Sequence, residues 1–446
     1  MAKRRPIKIL LSTVFQDAGD ATRAIEIAKA LRQYSPSNVQ ARILFLSRGS
    51  RFEQRAIDSG FEIYHGQPTV DGIGERHDYK MSPNNFIGDK HLAKQLIEGE
   101  IEAYKKIEPD VVIFGFWPIA GLAYRMMGRK ILGICFVPIP CTTESYLNII
   151  PDIPEHVPFF SMFPAPIRRL LLQYSPLCIR RRVPPLRQPN ILWAASKLGW
   201  KGRVVNIFDM LTADLTIVND LPDFYRRTAL PNSVVFSGPL FCQPSEGERI
   251  EPQIQKTFSK THRKVNIFCS LGSSGTKEQL LEIVKVFTFG KGLEWNGVIL
   301  SPISVCPIEE AITTLGKRDG VYITNNFVPA KEVNALADIV VCHGGQGTLQ
   351  TAIYSGTPVV GVAAQAEQFL NLHNIESQGA GIRIPMKKWN ARNIQNAVCK
   401  TIEDPEFTRA AKHLKQQMDS MDGARNSAEI IWKKIREDLH SSSKAK

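Results

Sequence analysis

The sequence predicts an α/β protein built from two Rossmann-like, doubly wound domains of parallel sheet that face a cleft. Three observations lead there. Short β-branched runs alternate with amphipathic helical patterns between residues 7 and 137, as expected for a parallel sheet covered on both faces. A polar, charged stretch ending at Lys264 breaks the alternation, which restarts at Val265. The length, 446 residues, suits two or three domains with sizeable cores.

Taken in order, residues 7–14 read as a buried strand, 15–20 as a polar loop, and the stretch through Leu31 as a helix. That helix has apolar residues at 24, 25, 27, 28 and 31, the spacing of one helical face. Further strands are expected at 41–46, 61–64, 111–114 and 131–137, with helices at 52–59 and 91–107 between them. Residues 138–189 are rich in proline and arginine and show no regular pattern, and loops of that length are usually functional. A helix is expected at 203–213, followed by strands at 215–218 and 234–236. After the break come strands at 265–270, 297–301, 321–323, 339–342 and 359–362. Helices are expected at 277–287, 331–336, 349–354, 391–404, 406–420 and 424–439.

The stretch 340–385 carries the strongest signal. A β-branched run breaks into the turn His343-Gly344-Gly345-Gln346-Gly347-Thr348, and a helical run and a second strand follow. Strand, glycine turn and helix bring unpaired N–H groups and a positive dipole end to an anion. Neither the dinucleotide fingerprint nor the P-loop pattern is met, so the anion site is of another kind.

Composition narrows the class. Hydrophobic content of 43% and charged content of 22% are those of an ordinary globular protein. The N-terminus reads as a first buried strand rather than a leader. The longest apolar run, 111–123, is interrupted by Pro118 and too short to span a bilayer. Eight cysteines lack C-x-x-C spacing, so buried thiols in a reducing, cytoplasmic setting are expected. The net charge of +13 is uneven: no acidic residue lies between His156 and Phe208, a stretch with nine lysines and arginines interleaved with Phe163 and Trp193. Such a segment suits an anionic membrane surface or an acidic acceptor, or else a solvated basic face. Nucleic acid is disfavoured as a partner, since no stacking or basic-helix motif accompanies the charge.

The run His343-Gly344-Gly345-x-Gly347-Thr348, Gly356-x-Pro358, Glu367-Gln368-x-x-Asn371 and Gly379-x-Gly381 resembles the donor-site signature of family 1 nucleotide-sugar glycosyltransferases. Leu271-Gly272-Ser273-Ser274, Phe327-Val328-Pro329 and Gly238-Pro239 agree with it. The resemblance implies the GT-B fold, with residues 1–240 binding acceptor and 241–422 binding a nucleotide sugar. A C-terminal helix at 423–440 would cross back to the N-terminal domain. It further implies that His343, with Gly345, Gly347 and Thr348, holds the donor diphosphate, and that Ser273 reaches its distal phosphate. Phe327 would stack on the base, Val328 would read its edge through the main chain, and Glu367 and Gln368 would bind sugar hydroxyls. Competing readings make Phe327 a core aromatic and Glu367 a surface carboxylate. No Asp-x-Asp pair is present, and a neutral cradle for the leaving group needs no cation, so metal independence and no cofactor beyond the UDP-sugar or dTDP-sugar co-substrate are expected.

The chain departs from the family at three places. Asp20 stands where a Gly-His base is common, resembling the Gly-Asp variant of sterol and antibiotic glycosyltransferases, with Asp17 the competing carboxylate. A carboxylate can act as base if burial raises its pKa. Gly115 stands where an Asp usually orients the histidine. Thr351 replaces a ribose-binding Glu, which leaves UDP and dTDP both open. Arg23, where proline is common, is read as an added charge near the diphosphate or a surface residue. The expectation is an inverting, metal-independent transferase acting on a lipophilic hydroxyl acceptor and peripheral on a membrane. A soluble aglycone as acceptor, and a nucleotide-binding protein that transfers nothing, are the alternatives.

Overall fold

The computed structural model describes residues 5–82, 85–128, 131–152, 160–182, 184–226, 229–240, 249–258, 265–272, 275–326 and 328–444. The chain forms two compact units, one of Met1–Leu240 with Asp422–Lys446 and one of Phe241–Met421. In the first unit, seven strands run β1 (Ile7–Ser12), β2 (Ala41–Ser47), β3 (Glu62–His65), β4 (Val111–Phe114), β5 (Leu132–Val137), β6 (Leu215–Val218) and β7 (Val234–Phe236). Their spatial order is β3-β2-β1-β4-β5-β6-β7, and every pairing is parallel. The second unit has β8 (Asn266–Ser270), β9 (Asn296–Leu300), β10 (Val321–Thr324), β11 (Ile339–Cys342), β12 (Val359–Gly361) and β13 (Gly381–Arg383). Its order is β10-β9-β8-β11-β12-β13, again all parallel. Strand order therefore reverses between β1 and β4 and between β8 and β11, and such reversals open crevices at strand carboxyl ends.

Each sheet buries both faces. In the first unit, Ile9, Ile113 and Phe136 pack with Ala24 and Ile25 of the helix Ala18–Gln33. They also pack with Ile431 and Trp432 of the helix Gly423–Lys444. The Trp432 indole N–H donates to the Leu31 carbonyl at 3.2 Å, and Asn426 donates to the Ser237 carbonyl at 2.9 Å. The last helix is thus part of the first unit's core. The second unit has its own core, in which Ile267, Ile299 and Val341 meet Leu280 and Val398.

Some elements differ from the sequence expectation. The first helix begins at Ala18 rather than after Asp20, because Asp17 caps it by accepting from the Asp20 N–H at 3.2 Å. The helix after the glycine turn begins at Gln346, three residues early, and the next spans Ala366–Ser377. Gly347, Thr348, Glu367 and Gln368 therefore sit in first helical turns. The described residues of 138–189 carry regular structure, the helices Thr143–Ile149 and Ala165–Tyr174, with shorter turns after them. The helix expected at 203–213 is only Ile207–Met210, a single turn closed by an Asn206/Asp209 capping box. No helix among the described residues is long and apolar enough to cross a membrane.

Trp432→Ala should destabilise the first unit by about 3–5 kcal/mol, the usual cost of emptying a buried tryptophan site. Urea denaturation checks this; a change within about 0.5 kcal/mol would mean the last helix lies outside that core.

Candidate functional site

In the second unit, β11 delivers His343 to the point where strand order reverses. The side chain is buried, with 7% exposure. Gly272, at the end of β8, has φ +57°, and a Cβ there would stand 2.7 Å from His343 Cε1 and 3.0 Å from Nε2. A Cβ on Gly345 would overlap the same ring. The imidazole thus lies between two glycine faces and tolerates no side chain on either.

Gly344 takes φ +84°, turning the chain from β11 into the helix Gln346–Tyr354. Gly345 is its N-cap and supplies no side-chain bond, so the helix's first N–H groups carry no side-chain cap of their own. N–H groups and a dipole end of this kind favour an anion without needing a cation. Gly347 is exposed, and a Cβ there would meet nothing within 4 Å; Thr348 beside it is half-buried.

The next helix braces this turn. Asn371 donates to the Gly344 carbonyl at 3.1 Å and to Glu367 Oε1 at 2.6 Å. Glu367 is half-buried, whereas Gln368 is 2% exposed and accepts from the Ala364 N–H at 2.9 Å. Thr351 turns back on its own helix, its hydroxyl donating to the Gly347 and Thr348 carbonyls, both at 3.0 Å. Val328 is buried at 3% exposure. Ser273 and Phe327 lie outside the described residues.

Asp20 belongs to the other unit, in the first turn of the helix after β1. It is 2% exposed. Its Oδ1 accepts from Arg23 at 2.8 Å, and Oδ2 accepts from the Thr13 hydroxyl at 3.1 Å and the Phe116 N–H at 3.0 Å. A Cβ on Gly115 would overlap this carboxylate, so the missing side chain after β4 is what gives Asp20 its place. Burial pushes the Asp20 carboxyl up from the ordinary range, Arg23 pulls it back, and the nearby charge of Asp17 adds to the rise. Arg23 is not a surface residue; it is buried at 7% exposure in the ion pair with Asp20. Asp17 is half-buried and caps the helix.

Sequence reasoning missed Glu75. It opens the short helix Glu75–Asp78 after β3, and its carboxyl is pushed well above the ordinary range by burial, then by the charges of Asp17 and Asp20. Three carboxylates therefore share one electrostatic neighbourhood, and nothing in the sequence spacing signals it. Beneath lies a buried network. Arg48 donates to Glu100 at 2.6 Å, Tyr104 donates to Glu100 at 2.8 Å, and Ser12 donates to the same carboxylate. Among the described residues, one group has metal-compatible spacing, Asp71, His77 and Asp78, of which the first two are exposed. It stands beside Glu75 in the first unit.

Residues 314–433 match the family described as erythromycin biosynthesis protein CIII-like, C-terminal domain. A PGL/p-HBAD biosynthesis glycosyltransferase of Mycobacterium tuberculosis is 27% identical over 347 residues, covering 75% of this chain and 73% of the relative. A PGL/p-HBAD biosynthesis rhamnosyltransferase of Mycobacterium bovis is 24% identical over 347 residues, with 76% and 70% covered. Among solved structures, the glycosyltransferase of kitacinnamycin aligns with TM-score 0.66 at 17% identity, over 97% of this chain and 100% of that one. The calicheamicin glycosyltransferase CalG4 aligns with TM-score 0.65 at 16% identity, over 96% and 98%. The fold is GT-B.

Two glycine substitutions separate packing from ligand space. Gly347→Ala should leave stability within about 1 kcal/mol of the parent, since alanine is the better helix former. An anion held at this helix end should bind about tenfold more weakly to the variant, or about 1.4 kcal/mol, because the methyl enters its space; calorimetry with UDP checks this. Gly272→Ala should instead lower stability by about 1–2 kcal/mol, the cost of a left-handed alanine, before any clash with His343 is counted.

Proposed function

We propose that the chain is a family 1 glycosyltransferase, an inverting transferase moving a hexosyl group from a UDP-sugar or dTDP-sugar to a hydroxyl of a lipophilic acceptor; the matched C-terminal region, the relatives and the GT-B fold support this reading. The observation that supports this best is the uncharged cradle around His343, set between Gly272 and Gly345 at the open N-terminus of the helix Gln346–Tyr354. The acceptor oxygen bonds to the anomeric carbon, and the bond from that carbon to the diphosphate oxygen breaks with its electron pair on the leaving group. His343 and the first N–H groups of the helix stabilise the charge that develops there. Asp20 takes the proton from the acceptor hydroxyl. Ser273, Gly345, Gly347 and Thr348 hold phosphate oxygens, Phe327 and Val328 the base, and Glu367 and Gln368 the sugar. No divalent metal takes part. Thr351, whose hydroxyl donates to its own helix, offers a ribose at most one acceptor oxygen where a carboxylate would offer two, which keeps deoxyribose donors admissible. The acceptor is a lipid, sterol or polyprenyl-linked molecule met at the cytoplasmic face of a membrane.

One observation favours a second reading, a GT-B protein that binds nucleotide without transfer: both Asp20 oxygens already have partners, and the residue is 2% exposed.

Titration calorimetry with UDP and dTDP tests the donor site; equal affinities follow if the ribose is unclamped, and no binding of either would end both readings. His343→Ala should cost about 10²–10³ in kcat, as expected for loss of a group that stabilises a leaving oxyanion. Donor hydrolysis or transfer that collapses in Asp20→Asn excludes the non-catalytic reading, and activity surviving excess chelator supports metal independence. The pH profile carries a sign. A base must be ionised, and burial raises the Asp20 pKa, so kcat/KM should fall on the acid side at a pH above the ordinary aspartate range. An acid limb at or below that range would point to a more exposed carboxylate.

A further inference from the structure

Exposed apolar side chains concentrate on one short segment. Seven of the fifteen large hydrophobics exposed among the described residues lie between Met162 and Ile179, a concentration that scattered surface residues do not give. Four of them, Ile167, Leu170, Leu171 and Tyr174, fall at positions i, i+3, i+4 and i+7 of the helix Ala165–Tyr174, which is one stripe. Their exposures are 42%, 50%, 44% and 77%, and no residue of this helix is buried.

The helix is held by its other side. The Arg168 guanidinium donates to the Pro151 carbonyl at 2.5 Å and the Phe163 carbonyl at 2.6 Å. Arg169 forms a two-pronged pair with Asp152 at 2.9 and 3.1 Å. These bonds fix the polar side against Ile150–Asp152 and leave the apolar stripe turned outward.

Charge says what covers it. The surrounding stretch from His156 to Phe208 contains no acidic residue. The ion pairs seen for its cations are Arg169 with Asp152 and Arg181 with Asp209, both acids lying outside the stretch. The segment keeps a net positive charge beside an apolar stripe. A partner protein's apolar groove would satisfy the stripe alone, whereas a bilayer with anionic headgroups satisfies both. Acyl chains would receive the leucines while arginines and the Tyr174 hydroxyl stay at headgroup level.

We propose that the helix Ala165–Tyr174 is an interfacial membrane anchor that lays Ile167, Leu170, Leu171 and Tyr174 into an anionic monolayer, with the neighbouring arginines at the headgroups. Docking of this kind deepens the reading of a lipophilic acceptor, on which it rests for its purpose, but it is measured without any transfer.

The test is co-sedimentation of the full chain with vesicles of equal parts phosphatidylcholine and phosphatidylglycerol, against phosphatidylcholine alone, at low and high salt. Binding should be strong on the anionic vesicles at low salt, weaken with salt, and be weak on the neutral ones. The double substitution Leu170→Ser with Leu171→Ser should reduce binding by about tenfold or more, since interfacial affinity scales with buried apolar area. Its thermal midpoint and UDP affinity should stay at parental values, because both side chains are exposed. Leu171→Trp should show a blue-shifted emission on the anionic vesicles. The proposal is overturned if the parent fails to bind anionic vesicles at low salt or if the double variant binds as the parent does. It is equally overturned if light scattering shows a dimer that the double substitution dissolves, which would make a second copy the occupant. UDP affinity is read on the same samples, so failure to dock and failure of the donor site are told apart.

Discussion

Space cleared by glycine at the two reversals of strand order is the constraint from which the rest of the site follows. After β8 and β11, Gly272 and Gly345 leave room for the His343 ring; after β1 and β4, Gly115 leaves room for the Asp20 carboxylate. A reversal opens a crevice because the two central strands send their connections to opposite faces. A polar side chain can enter that crevice only where the neighbouring strand end carries no Cβ. In each unit one strand end brings the functional group and the next supplies the vacancy, so neither can change without the other.

The two groups stand in different electrostatic settings. His343 stands beside the N-terminal end of a helix, where backbone dipoles favour negative charge without a counter-ion that needs desolvating. Asp20 is buried against Arg23. A buried pair gains little net stability, since desolvation of both charges offsets most of their attraction. Burial nevertheless dominates over the arginine in setting the direction of the Asp20 shift. The charge of Asp17 adds to the rise at Asp20, and the charges of Asp17 and Asp20 add to the rise at Glu75.

The second unit was legible from sequence because its chemistry is contiguous. One stretch carries the turn, the helix it opens, and the Glu367–Asn371 pair that braces the turn, and glycine spacing reports backbone geometry directly. The alternation of strands and helices was legible for the same reason, being a local pattern. What escaped was non-local or short. Asp20 meets the Phe116 N–H across 96 residues, so the role of Arg23 as its partner could not be read from the three-residue spacing alone. Glu75 reaches the same neighbourhood from the loop after β3, with no motif around it. β13, three residues long, is too short for a period to show. The helix Ala165–Tyr174 carries its stripe in the sequence, but the prolines and arginines that flank it mask the spacing with the composition of a loop.

The same division bears on how such a chain can vary. A cradle made of main-chain N–H groups depends on φ values and missing side chains, not on charged donors, so most neighbouring positions can change while the turn holds. A carboxylate that depends on Arg23, Thr13 and the Phe116 N–H is fixed by three separate elements and can change only with them. The helix that exposes its apolar stripe makes no demand on either core, since it contributes no buried residue. Altering that stripe should come at little cost to the fold. Substitution is therefore least costly to the fold on the face of the first unit around Ala165–Tyr174 and most costly at the two strand-end vacancies.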